Sequence, residues 1–159
     1  MMLIVADTSA LIALDASDTL NLLDSLFHVV RVPPAVLLEC TVAGKAGAAR
    51  LQSFLHERVV EVDLRELVIA VAGLGQGELE AMALYKRLGA NRMLVDDYRA
   101  RKVARLNEID VIGSLGVWLR ARESGLISEV RPLMIAAQSA GIRYSEQLVS
   151  EALRLAGER

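Results

Sequence analysis

The chain has 159 residues, a formal net charge of −2, a single cysteine and an apolar share of 53%. That length suits one domain with a sizeable core. The near-neutral charge argues against a protein that holds nucleic acid by phosphate neutralisation alone, so any such activity must rest on a local patch or on metal ions. The lone Cys40 excludes an internal disulfide and suits a reducing cytosol. No apolar run reaches the length of a membrane span, and no basic segment precedes an apolar one at the start. The expectation is a cytoplasmic protein with no signal peptide and no membrane contact.

Residues 2–6 are a continuous apolar run, and after Ser9 apolar residues recur at Leu11, Ile12 and Leu14. The period changes from strand-like to helix-like at Asp7-Thr8-Ser9, which predicts a buried strand, a polar turn and a helix. A second short helix is expected over 18–26, capped by Ser17-Asp18-Thr19, then a strand over 27–32. Pro33-Pro34 punctuates that strand and starts a helix that contains Glu39. A helix over 43–55 and a strand over 58–62 follow, then a glycine-rich loop over 70–77. The chain next reads as a helix over 78–88 with Glu78 and Glu80 in its first turn, where the dipole favours anions, and Gly89 ends it. A strand over 92–95 stops on Asp96-Asp97, and a basic helix covers 98–106. A last strand over 109–112 leads through a Gly113-Ser114 turn and N-cap into a helix to Ser124. Two tail helices over 128–140 and 145–156 close the chain. Alternating strands and helices argue an α/β domain with a mostly parallel sheet and an all-helical tail.

Asp7, Glu39, Glu78 and Asp96, with Asp97 and Glu80 as near neighbours, lie at strand ends or on helices that follow strands. In a parallel sheet these positions face one crevice beyond the carboxyl ends of the strands. Carboxylates crowded there cannot all ionise without a cation. The set is intelligible as an oxygen-ligand site for Mg²⁺ or Mn²⁺, ions that activate water and stabilise charge in phosphoryl transfer. Each acid alone also has a structural reading. Asp7 could cap its helix, Glu78 could serve the dipole, Glu39 could sit on a solvated face, and Asp96-Asp97 could be an ordinary N-cap turn.

Four segments in order, Asp-Thr-Ser-Ala-Leu-Ile-Ala-Leu after the first strand, Pro-Pro-Ala-Val-Leu-Leu-Glu, Gly-Gln-Gly-Glu-Leu-Glu-Ala-Met-Ala-Leu and Leu-Val-Asp-Asp-Tyr-Arg-Ala-Arg, resemble the PIN-domain family of metal-dependent ribonucleases. The closer likeness is to its prokaryotic subgroup with an Asp-Asp strand end and a helical tail. The resemblance implies a three-layer α/β/α domain over 1–125 and a helical extension over 126–159. It also implies a site that binds Mg²⁺ or Mn²⁺, hydrolysis of single-stranded RNA, and often the toxin role in a toxin-antitoxin pair with a small antitoxin protein. By match to the family's motifs, Asp7 is the first acid, Glu39 the second, Glu78 the third and Asp96 the acid at the fourth strand's end. Thr8 or Ser9 is the accompanying hydroxyl. The common toxins place a hydroxyl residue, one spacer and an acid after that strand, whereas this chain has Asp96-Asp97-Tyr98, so either Asp96 or Asp97 is the ligand.

Lys86, Arg87, Arg92, Arg99, Arg101, Lys102 and Arg105 cluster around the acidic pair, and contacts of Arg99, Arg101 and Lys102 with phosphates would position a strand without reading its sequence. Their other reading is a solvated helix face. His28, His56, Trp118 and Cys40 read as structural. The reading from the sequence is a metal-dependent endoribonuclease. The alternatives are a catalytically idle module that binds nucleic acid or a partner, and an aspartyl phosphotransferase using Asp7, which lacks the second Asp two residues on. The tail's apolar stripes, Leu133, Met134 and Ala137 in one helix and Leu148, Val149, Ala152 and Leu153 in the other, must cover the domain's own sheet or another chain. The high apolar share tips the expectation towards an interface, in a homo-oligomer or against an antitoxin.

Overall fold

The computed structural model describes residues 2–64 and 73–159. Strand β1, Leu3–Ala6, leads through Asp7 into helix α1, Thr8–Ala16, and a short α2, Asn21–Leu26, precedes β2, Val29–Arg31. Helices α3, Pro34–Cys40, and α4, Ala48–Leu55, follow. The second half holds α5, Gln76–Leu88, β3, Arg92–Leu94, α6, Tyr98–Leu106, β4, Val111–Ile112, and α7, Ser114–Glu123. The tail is α8, Arg131–Ser139, and α9, Glu146–Leu155.

The four strands form one parallel sheet in the order β2-β1-β3-β4. Both faces are covered. Ile4, Ala6, Val30, Leu94 and Ile112 pack into a core shared with α1, α2, α7 and both tail helices. Val5, Met93 and Val95 point the other way, into a second core with α5 and α6. Side chains alternate along a strand, so a strand buried on both faces must be apolar throughout, as residues 3–6 are. The result is the three-layer α/β arrangement expected. From β1 the chain moves outward to β2 on one side and later returns to place β3 on the other, so the sheet's topological switch lies between the carboxyl ends of β1 and β3.

Three expectations need correction. Residues 58–62 do not form a strand: they contribute one parallel bridge, Val32 to Val59. Arg58 and Val60 exchange backbone bonds with Val32, and the ladder ends there because Pro33 and Pro34 have no N–H to continue it. The helix expected over 43–55 begins only at Ala48, since Gly44 and Gly47 sit at φ +86° and +80° and turn the chain first. The expected glycine-rich loop lies outside the described residues at 70–72, and α5 starts at Gln76, two residues before Glu78.

The tail helices pack on the domain. Val130, Met134, Ala137, Ala152, Leu153 and Ala156 are buried in the first core, α8 lying on α1 and α9 on α7. Glu158 closes the arrangement, its two carboxylate oxygens accepting from the Val130 and Arg131 backbone N–H groups at the start of α8, at 2.7 and 3.1 Å. Much of each stripe thus covers the domain itself, while Leu148 stays exposed. Trp118 is fully buried in this layer and donates to Thr19 Oγ1 at 3.0 Å.

Ending the chain at Ser128 should abolish cooperative thermal unfolding followed by circular dichroism. Removing a single buried Met or Leu side chain costs about 2–5 kcal/mol, against a total stability of about 5–15 kcal/mol. A truncated chain that still melted cooperatively would show the tail to be dispensable to the core.

Candidate functional site

Asp7 stands at the topological switch. Its backbone N–H donates to Leu94 O at 2.8 Å, which ties the end of β1 to the end of β3. It occupies the N-cap position of α1, yet its side chain makes no capping hydrogen bond. Asp7 is 2% exposed, and its Oδ1 is a buried oxygen without a hydrogen-bond partner among the described residues. Burial pushes its pKa up to about 7. The Thr8 backbone N–H opposes that shift, and the charges of Glu78, Glu39 and Asp97 add to it.

Glu39 reaches the same place from α3. Its Oε2 accepts from the Thr8 hydroxyl at 2.6 Å and its Oε1 from the Gly77 backbone N–H at 3.1 Å. Position 77 has to be glycine for this approach, because a Cβ there would stand 2.6 Å from Glu39 Oε2. The helix pair is joined a second time in the reverse sense: Glu80 of α5 accepts from the Ala35 N–H in the first turn of α3, at 3.1 Å, and is itself steadied by Gln76 at 2.8 Å. Each helix therefore supplies a carboxylate to orphan amides at the start of the other.

Glu78 turns one oxygen back to the Gly75 N–H at 3.0 Å, satisfying a donor at the start of α5. Burial raises its pKa; the Gly75 bond and the charge of Arg99 oppose the rise, and the charges of Asp97 and Glu39 add to it.

The two aspartates after β3 part company. Leu94 faces the core that contains α7, so Asp96, two residues on, continues towards that side. Its Oδ1 accepts from the Ser114 N–H at 2.8 Å and its Oδ2 from the Ser114 hydroxyl at 2.6 Å. Val95 faces the core that contains α5, and Asp97 follows it to the side where Val5 leads to Asp7. Asp97 caps α6 through the Ala100 N–H at 2.8 Å, and its charge is felt by both Asp7 and Glu78. Asp96 is not among the charges that chiefly shift either. Its own pKa is raised by burial against the two Ser114 bonds and the charge of Arg101.

The residues gathered around Asp7 are therefore Glu39, Glu78 and Asp97, with Thr8 joining Asp7 to Glu39, while Asp96 is turned to Ser114. Of the basic residues, Arg99 stands within electrostatic reach of Glu78. Arg101 is half-buried with its Nη1 close to Gly113, where burial lowers its pKa, Arg105 adds to the fall, and Asp96 opposes it. Lys102 is exposed. Sequence reasoning passed over Ser114, taken there as a helix cap, and Tyr144, whose hydroxyl lies 2.6 Å from Ser114 Oγ. The Gly113-Ser114 turn was the available signal.

Among the described residues, no three potential ligands already converge as a finished metal cage, and Glu39, Glu78 and Asp97 each hold a backbone N–H. The chemistry of the donor set nevertheless fits a hard cation. A buried carboxylate oxygen without a partner among the described residues, with the charges of three further carboxylates raising its pKa, is an oxygen-donor site suited to a cation.

A domain-family model described as a PIN domain matches residues 3–158. Neither curated proteins nor solved structures give a significant match to the chain.

Asp7 should make stability pH-dependent in the metal-free chain. Its folded-state pKa lies above the ordinary 3.8, so the folded state binds the extra proton, and stability falls as pH rises from about 4 to about 7 and is level beyond. Asp7→Asn should melt higher than the unmutated chain at pH 8, by at most about 4 kcal/mol, with the gap closing near pH 4. A gap that is the same at both pH values would place the cost elsewhere.

Proposed function

The chain belongs to the PIN-domain family, and from that premise we propose that it is a metal-dependent endoribonuclease that cuts single-stranded RNA. PIN domains are generally nucleases that use divalent metal ions. The observation that carries the proposal is the buried Asp7 carboxylate, whose Oδ1 has no hydrogen-bond partner among the described residues, with the charges of Glu78, Glu39 and Asp97 raising its pKa. A fold tolerates such an arrangement when a ligand offsets it, since strongly perturbed carboxylates in a cleft are the mark of a working site.

In this reading Asp7, Glu78 and Asp97 would hold Mg²⁺ or Mn²⁺. When bound, such an ion lowers the pKa of a water and neutralises charge developing on phosphoryl oxygens. The chain's own residues do the rest. Glu39, fixed between the Thr8 hydroxyl and the Gly77 N–H, is held on the Asp7 side of the crevice and would serve as proton acceptor there. Arg99 and Lys102, exposed on the first turns of α6 next to Asp97, receive the phosphates of a strand lying across the crevice. Asp96 carries no ligand role here and holds the β3–α6 connection in place.

Cleavage of a fluorogenic single-stranded RNA in Mn²⁺ tests the assignment. Asp7→Asn and Asp97→Asn should each lose about a hundredfold or more in kcat/KM, and Asp96→Asn about tenfold. Asp7→Asn cutting as fast as the unmutated protein would overturn the nuclease reading. Losses in the reverse order would return the ligand role to Asp96.

Lys102→Ala should instead weaken RNA binding and reduce the slope of log affinity against log salt by about 0.7, the value for one phosphate contact on a single strand. An unchanged slope would remove Lys102 from the binding surface.

A further inference from the structure

We propose that Tyr144, in the turn between α8 and α9, is a positioning residue for the crevice: through Ser114 it fixes Asp96, and with Asp96 the connection that presents Asp97. The catalytic part of this inference rests on the nuclease reading above, and the geometric part does not.

The hydrogen-bond directions can be counted. Ser114 has one hydroxyl proton, and it goes to Asp96 Oδ2 at 2.6 Å. The 2.6 Å contact between Ser114 Oγ and the Tyr144 hydroxyl therefore has tyrosine as the donor. The order is Tyr144 O–H to Ser114 Oγ, Ser114 O–H to Asp96 Oδ2, and Ser114 N–H to Asp96 Oδ1. In such a chain each bond polarises the next. The far side of the connection is held as well, by the Asp96 N–H donating to Ser9 Oγ at 3.3 Å. Asp96 is thus gripped by α1 through its backbone and by α7 and the tail through its side chain.

Packing alone does not call for the hydroxyl. The Tyr144 ring meets the fully buried Trp118 edge-on, at 6.4 Å between centroids and 72° between planes, and phenylalanine would keep that contact. A hydroxyl withdrawn from water is tolerated where it is hydrogen-bonded, and the partner here is the serine that holds Asp96. The tail supplies no carboxylate to the crevice, so this hydroxyl is its polar link to the connection after β3. Close by, a Cβ at Gly113 would stand 2.8 Å from Asp96 Oδ1 and 2.6 Å from Arg101 Nη1, so it would force those side chains to shift. The seat is therefore tight enough for a small shift of Ser114 to be transmitted.

The test is Tyr144→Phe in the full chain, alone and combined with Ser114→Ala. In Tyr144→Phe the hydrogen exchange of the Ser114 amide should quicken about five- to tenfold, while the melting temperature falls by no more than about 4 °C. The Mn²⁺ concentration giving half of the metal's thermal stabilisation should rise about tenfold, and kcat on single-stranded RNA should fall about tenfold with KM within about twofold. In the Ser114→Ala background Tyr144→Phe should change none of these further, the signature of residues acting through one another. Unchanged exchange at Ser114 overturns the clamp. Faster exchange with Mn²⁺ response and kcat both unmoved overturns its role at the site, and additive effects show that Tyr144 acts by another route. Should the unmutated chain cut no RNA, the nuclease reading falls, and Ser114 exchange still decides the clamp.

Discussion

A carboxylate buried with one oxygen left without a hydrogen-bond partner among the described residues is the constraint around which the rest of the site is arranged. Asp7 is carried to the end of the central strand by a register that leaves no freedom: its N–H is bonded to Leu94 O, and the strand before it is buried on both faces. An isolated charge in such a place costs several kcal/mol, and a fold selected for stability alone would neutralise it with a guanidinium or replace it. Here the neighbours are Glu39, Glu78 and Asp97, all of the same sign. Like charges gathered around a buried carboxylate work against stability, and a ligand of opposite charge is the natural compensating term. That is why the metal reading follows from the burial of one oxygen more than from the number of acids nearby.

The carboxylates around Asp7 are held by backbone amides, and this explains how they remain crowded. Glu39 takes the Gly77 N–H, Glu78 the Gly75 N–H and Asp97 the Ala100 N–H, each at the start of a helix. Helix starts carry partial positive charge, so each acid is partly offset where it stands. Glu80 and Glu39 link α3 and α5 reciprocally, which sets the two helices in register along the crevice.

Much of this was legible in the sequence, and the reasons differ from element to element. The period change at Asp7-Thr8-Ser9 marked the sheet's central strand end, because a doubly buried strand and an amphipathic helix leave unlike patterns on either side of a turn. The bounds of α6 were legible from Asp97 as cap and the basic run behind it. The choice between Asp96 and Asp97 was not. Alternation along β3 was visible, but which face of the sheet carries α5 and which carries α7 is a matter of topology, and only that tells the two apart. The tail was left open for a related reason: an apolar stripe is the same whether it covers its own sheet or a neighbour. The bridge at Val59 shows the opposite case, a strand-like sequence whose partner strand runs out of donors at Pro33.

The first turn of α1 joins both banks of the crevice, and it does so with three consecutive residues of different chemistry. Asp7 offers its carboxylate to the centre. Thr8 donates its hydroxyl to Glu39 on the α3 and α5 bank. Ser9 accepts the Asp96 N–H on the bank formed by β3 and α6. Successive helical positions point about 100° apart, so the adjacent hydroxyls of Thr8 and Ser9 reach different partners, while Asp7 precedes them as the extended N-cap. Further along the same helix, Leu11 and Leu14 are buried in the core that α8 completes. A helix fixed by the tail at one end and carrying both banks at the other makes the crevice and the C-terminal helices parts of one folding unit, and the hydroxyl of Tyr144 beside Ser114 gives that unit a second connection across α7.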